Sequence, residues 1–172
     1  MEEKTVDIEG SYSLSASREA VWKMLNDPEV LRACIPGCET LDAQSPTEMA
    51  AVVVTKIGPI KARFSGEVTL KDLDPPSSCR IVGEGKGGVA GFAQGEAHVR
   101  LVPEESGTRL DYTVEVQIGG KIAQLGQRLV HSTARKLSDQ FFTCLAEKIA
   151  AEGLDDTGDA TVAERTTVSS TT

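Results

Sequence analysis

The sequence predicts an α+β domain: a curved antiparallel sheet of about seven strands around one long C-terminal helix, with two short helices after the first strand. Three observations carry this. Successive segments alternate apolar and polar residues, so each strand has one polar face. Only one segment, near the C-terminus, is long and amphipathic enough to cover the apolar face of such a sheet. The 172 residues suffice for one domain with a real core and a tail.

The first strand covers residues 6–14, where Val6, Ile8, Gly10, Tyr12 and Leu14 alternate with Asp7, Glu9, Ser11 and Ser13. Ser17 is placed to cap a helix over residues 18–25, with Glu19 near its positive end. Asp27 caps a second short helix with Pro28 at its first position; Val30, Leu31 and Ile35 are apolar and Pro36-Gly37 ends it. Met49, Ala51, Val53, Thr55 and Ile57 then share a face, and Gly58-Pro59 turns the chain. Ile60, Ala62, Phe64, Gly66, Val68 and Leu70 face one way, with Lys61, Arg63, Ser65, Glu67, Thr69 and Lys71 opposite. After the Asp74-Pro75-Pro76-Ser77 turn come Cys79, Ile81, Gly83 and Gly85, then Ala93, Gly95, Ala97, Val99 and Leu101. The last strand carries Leu110, Tyr112, Val114, Val116 and Ile118 inward, and Gly119-Gly120 closes it.

One helix is expected over residues 121–151, with Ile122, Leu125, Leu129, Leu137, Phe141, Cys144, Leu145 and Ile149 apolar and Gly153 stopping it. The domain is thus placed at 1–152. The tail at 153–172, rich in Asp, Thr and Ser, is expected to be disordered. A one-sided sheet closed on a single helix is a helix-grip architecture.

The chain is 40% hydrophobic and 26% charged, with a net charge of −8. Its pI lies near 4.8, which argues against nucleic-acid binding. The N-terminal stretch is acidic and has no apolar run, and no segment approaches the ~18–20 apolar residues of a membrane span. A cytoplasmic protein is expected, with peripheral contact at a membrane surface open to it. On that basis Cys34, Cys38, Cys79 and Cys144 are expected as reduced thiols. Cys34 and Cys38 flank Pro36-Gly37 without a second ligand pair. They read as small buried thiols beside a turn, with a redox pair as the weaker alternative.

Read by parity, the inward positions are aliphatic, Phe, Ala, Gly and Met, with Tyr12, Thr55 and Tyr112 as polar exceptions. No carboxylate, histidine or lysine is expected there, and so no acid–base or nucleophile–base pair. The set becomes small at Gly83, Gly85, Ala93, Gly95 and Ala97, which suits a cavity for an apolar ligand. The competing reading is that helix side chains such as Phe141 fill that zone. The run GEGKGG at 83–88 matches G-x-G-x-x-G, but a strand follows it and no Lys-Ser/Thr does, so it reads as a hairpin loop. His98 and His131 fall on polar faces. Lys121, Arg128, Arg135 and Lys136 read as a solvated helix face, with anionic docking as the alternative.

DPEVL at 27–31, CIPGCE at 34–39, Gly66 with the glycine-rich region 85–95, and GGKIAQLG at 119–126 together resemble the CoxG family of carbon monoxide dehydrogenase subunits. That family belongs to the START-like (SRPBCC) superfamily, and the resemblance covers residues 3–150. It implies the helix-grip fold and a non-catalytic accessory role for a molybdenum hydroxylase of the carbon monoxide dehydrogenase type. It also implies placing that enzyme at the inner membrane and handling a lipophilic quinone. Molybdenum, iron–sulfur and flavin chemistry would belong to the partner.

The expectation is therefore a binding protein with no catalytic residue, no metal and no covalently bound cofactor. Its ligand would be a quinone or another isoprenoid or lipid. Tyr12 and Tyr112 are placed to hydrogen-bond a ligand carbonyl. Leu31, Ile35, Val53, Phe64, Ile81 and Ala93 would line the space, with Gly95, Ala97, Val114, Leu125, Leu129 and Phe141 completing it. The rivals are a START-like cyclase or hydrolase using a tyrosine as acid, and a ligand-free recruitment module with a packed core.

Overall fold

A computed structural model describes residues 3–152; the tail placed at 153–172 lies outside the described residues. The chain runs β1 (Glu3–Leu14), α1 (Arg18–Leu25), α2 (Pro28–Cys34), β2 (Cys38–Ser45), β3 (Glu48–Ile57), β4 (Ile60–Asp74), β5 (Ser78–Lys86), β6 (Phe92–Glu104), β7 (Gly107–Gly119) and α3 (Gln127–Glu152). The strands form one antiparallel sheet in the order β1-β7-β6-β5-β4-β3-β2. Both expected caps are present. The Ser17 hydroxyl accepts from the Ala20 N–H at 3.2 Å, and the Asp27 carboxylate accepts from the Glu29 N–H at 2.9 Å.

Strand register follows the alternation. Val53 lies opposite Phe64, Leu70 opposite Ile81, Ile81 opposite Ala97, Ala97 opposite Val114 and Val114 opposite Ile8. Residues directly opposite one another share a face. The inward sets of six strands therefore form one continuous concave surface. β2 carries no such alternation because it is an edge strand with two register shifts against β3.

Two expectations are corrected. The last helix begins at Gln127, not at 121. A 3-10 turn over Gly120–Gln124 buries Ile122 and Ala123, and extended Leu125 with Gly126 separates it from α3. Gly120 adopts φ +82°, a conformation that suits glycine and redirects the chain out of β7.

The second correction concerns sulfur. Cys34 and Cys144, expected as reduced thiols, form a disulfide that ties α2 to α3 across 110 residues of sequence. The short 34/38 spacing pointed at the wrong partner, because the packing of α2 on α3 is not encoded in local spacing. Cys38 and Cys79 are free, and burial pushes both thiols up, with Arg32 acting the other way at Cys38. Both therefore stay protonated and weakly nucleophilic near neutral pH.

The fully buried core sits where β1, β7 and β6 meet the helices. Val6, Leu14, Leu101 and Leu110 pack with Val21 and Met24 of α1 and with Leu145 and Ile149 of α3. Thr108, fully buried among them, donates to the Ala16 carbonyl at 2.7 Å.

Candidate functional site

α3 is fastened to the free edge of β1 by a four-rung ladder. Gln127 donates to the Thr5 carbonyl at 3.2 Å, His131 Nε2 lies 3.1 Å from the Asp7 carbonyl, and Arg135 donates to the Glu9 carbonyl at 3.1 Å. The fourth rung is Tyr12, whose hydroxyl donates to the Asp139 carboxylate. Four helical residues rise about 6 Å and two strand residues rise about 6.5–7 Å, so the first three rungs stay in step, and the fourth shifts to the inward side chain of Tyr12, three residues on. The ladder also occupies edge carbonyls that would otherwise invite another strand. His131 and Arg135, expected as solvated, are thus bound to β1.

Asp139 corrects a further expectation, that no carboxylate faces inward. Parity describes strands, and this carboxylate comes from the helix. Phe142 stacks on Tyr12 at 4.3 Å and on Tyr112 at 5.4 Å between centroids, which closes this side of the interior. Burial, followed by the bond to Asp139, holds the Tyr12 hydroxyl well above its ordinary pKa. Tyr12 therefore keeps its proton as a donor. Tyr112 is 5% exposed, and its hydroxyl has no partner among the described residues. It lies over Gly10, where a Cβ would come within 2.8 Å of it. Tyr12→Phe is expected to cost about 1–2 kcal/mol, since a bond to a charged acceptor is lost. The melting temperature should fall by roughly 3–6 °C; an unchanged melting temperature would show that the fourth rung carries no stability.

Toward β3, β4 and β5 the concave face changes character. Val53, Phe64, Ile81, Ala93, Ala97 and Val114 lie on it, yet all are only half-buried. Leu31, Ile35, Leu125, Leu129 and Phe141 are half-buried as well. Leu129 packs over the β3–β4 turn, where a Cβ on Gly58 would come within 2.6 Å of its Cδ2. Phe141 stands edge-on to Phe142 at 5.0 Å. Between α3 and β3 a cleft of about 390 Å³ opens, lined by Pro36, Val54, Thr55, Lys56, Lys136 and Leu137 among others. That volume falls within the ~300–1,000 Å³ typical of small-molecule sites.

Gly95 does not border a void. A Cβ there would lie 2.1 Å from the Glu115 carbonyl oxygen, so the backbone of β7 occupies the space the small residue leaves. At Gly83 and Gly85 a Cβ would make only ordinary contacts, at 3.4 Å and beyond.

A larger depression, about 1220 Å³, lies on the sheet's outer face among Glu9, Asp72, Arg80, His98, Arg109 and Asp111. Most of its charges are paired: Arg80 bridges Asp72 and Glu96 at 2.9 Å each, and Arg109 meets Asp111 at 3.0 Å. His98 hydrogen-bonds Glu96 there and, with Arg80, holds that carboxyl below its usual range. Such a surface does not suit an apolar ligand. Among the described residues no group of three or more His, Cys, Asp or Glu could hold a metal, and no helix is long and apolar enough to cross a membrane.

A seven-stranded antiparallel sheet curved around one long helix defines a START-like helix-grip protein. The chain belongs to the CoxG family of carbon monoxide dehydrogenase subunits, whose model matches residues 10–150. A conserved protein from Geobacillus kaustophilus of known structure is 31% identical, with a TM-score of 0.81 over 86% of this chain and 97% of that one. A protein from Thermus thermophilus shares 22% identity at a TM-score of 0.65, covering 87% of this chain and 99% of its own. The Zhui aromatase/cyclase from a Streptomyces species shares 12% identity at a TM-score of 0.57, over 88% and 95% of the two chains, a likeness of fold alone. No functionally curated protein matches the sequence.

Proposed function

We propose that this chain is a non-catalytic accessory protein of a carbon monoxide dehydrogenase-type molybdenum hydroxylase. It holds a lipophilic ligand, a quinone or related isoprenoid, in the apolar hollow between sheet and helix, and links the enzyme to the membrane. One observation carries the ligand reading. Val53, Phe64, Ile81, Ala97 and Val114 on the concave face stay half-buried, whereas Val6, Ile8, Leu101 and Leu110 on the same face are buried. Each incompletely buried Val, Ile or Phe forgoes part of the ~1.5–3 kcal/mol that full burial provides, and an apolar occupant would recover it.

The residues assigned to the ligand divide by role. Val53, Phe64, Ile81, Ala93, Ala97 and Val114 form the floor; Leu31, Ile35, Leu125, Leu129 and Phe141 form the rim. Gly95 lets β7 bend over β6 beside the floor. Tyr112, whose buried hydroxyl has no partner among the described residues, is the donor for a ligand carbonyl that reaches beneath Phe142, whereas Tyr12 is committed to Asp139. The Tyr12–Asp139 pair is assigned to fastening α3 to β1, as the fourth rung of the ladder.

Unbiased organic extraction of the purified chain, followed by mass spectrometry, tests the reading. An isoprenoid quinone in near-stoichiometric amount is expected. Protein free of any lipophilic compound after expression in a quinone-producing host would leave the recruitment-only reading in its place.

A further inference from the structure

One end of the molecule gathers several turns. β3 and β4 meet there at Ile57 and Ile60, Lys86 faces Phe92 across the β5–β6 loop, and Phe92 faces Gly119 at the end of β7. The 3-10 turn at Gly88–Ala90 packs on the one at Gly120–Gln124, and Leu129 near the start of α3 reaches Gly58. The cleft beside Lys56 and Gly58 opens at this same pole.

Charge is sorted along the molecule. The segments 56–66, 85–95 and 116–138, which build most of the pole and the helix leading from it, contain eight Lys and Arg and no Asp or Glu, in a chain of net charge −8; the start of β1 also lies there, with Glu3 opposite Gly119. Arg63 is paired with Glu39, and Arg135 is bound to β1. Lys56, Lys61, Lys86, Lys121 and Arg128 are exposed and have no acidic partner among the described residues. Lys56 stands directly opposite Lys61, a like-charge cross-strand pair that weakens the hairpin. Val89, at the tip of the glycine-rich loop three residues after Lys86, is 79% exposed.

Unpaired cations gathered at one end with an exposed apolar tip are the pattern of a surface that meets lipid headgroups. An acidic protein face would pair its carboxylates with cations at fixed positions. Cations spread over a whole pole fit a continuous anionic sheet better. We infer that this pole docks the chain end-on against a bilayer rich in anionic phospholipid, with Val89 entering the headgroup layer and the cleft facing the lipid. The inference rests on the proposed carriage of a lipophilic ligand only for its purpose; charge and geometry stand without it.

Co-sedimentation of the whole chain with vesicles tests it, comparing phosphatidylcholine alone with phosphatidylcholine containing phosphatidylglycerol. Binding is expected only to the anionic vesicles, and high salt should abolish it. Lys56→Gln, Lys61→Gln and Lys86→Gln combined should weaken it roughly a hundredfold. Val89→Ser should weaken it several-fold. The matched triple Lys23→Gln, Arg32→Gln and Lys71→Gln, exposed elsewhere, should leave it unchanged. Absence of binding to anionic vesicles, equal binding to neutral ones, or equal loss in both triple variants overturns the proposal, as does attachment to an acidic protein but to neither vesicle. Lipid extraction from the same samples keeps the two ideas apart. A ligand-loaded chain that ignores vesicles removes the docking pole and the direct membrane link but leaves the ligand reading standing, and an empty chain that binds them removes the ligand reading alone.

Discussion

Cys144→Ser is expected to destabilise the domain by about 2–5 kcal/mol, among the largest effects of any single substitution here. The Cys34–Cys144 bond closes a loop of 110 residues in sequence, for which chain entropy alone gives roughly 4–5 kcal/mol. It also holds α2 against α3 beside the core formed by Val30, Leu145 and Ile149. Urea unfolding followed by circular dichroism would measure it. Reductant added to the wild type should bring its midpoint to that of Cys144→Ser and leave the variant where it was. Cys38→Ser should stay within about 0.5 kcal/mol of wild type, as for substitutions outside any network. Coinciding midpoints for oxidised wild type and Cys144→Ser would show that the bridge contributes nothing.

Gly95→Leu should be at least as damaging. The Glu115 carbonyl stands 2.1 Å from where a Cβ would be built, and the Val116 Cα 2.8 Å, so backbone rather than a flexible side chain has to move. Overpacking ordinarily costs about 1–3 kcal/mol; displacing the β6–β7 ladder puts this variant at or beyond the upper end. Gly83→Ala, directly opposite Gly95 on β5, should be neutral or slightly stabilising, because its Cβ has ordinary room and the unfolded chain loses freedom. Equal melting temperatures for the two variants would contradict the close approach of β7 at Gly95.

The contrast between these glycines shows what alternation encodes. Period two assigns a residue to a face, and the ladders from β1 through β7 and from β6 to β3 keep every assigned face together. It does not say whether the space over a small residue holds solvent, a side chain or the neighbouring strand's backbone, since that depends on how sharply the sheet coils. Ser17 and Asp27 were legible because capping is local. Cys34 with Cys144 was not, because it records helix packing at long range. The α3 seam was half legible. Gln127, His131, Arg135 and Asp139 form a visible stripe at four-residue spacing, but nothing in that stripe identifies the edge of β1 as its partner. β2 escaped because an edge strand with shifted register need not alternate.

Whether the concave face is open toward β3, β4 and β5 is decided most directly by Ala97→Phe, examined for stability and bound ligand on the same preparation. Ala97 is half-buried between Ile81 and Val114 on the floor. A phenyl ring there should fill empty space at little cost in melting temperature and displace the quinone recovered from wild type. A loss of about 1–3 kcal/mol, the usual cost of overpacking, together with a ligand-free wild type, would contradict an open hollow and mark the interior as a closed core.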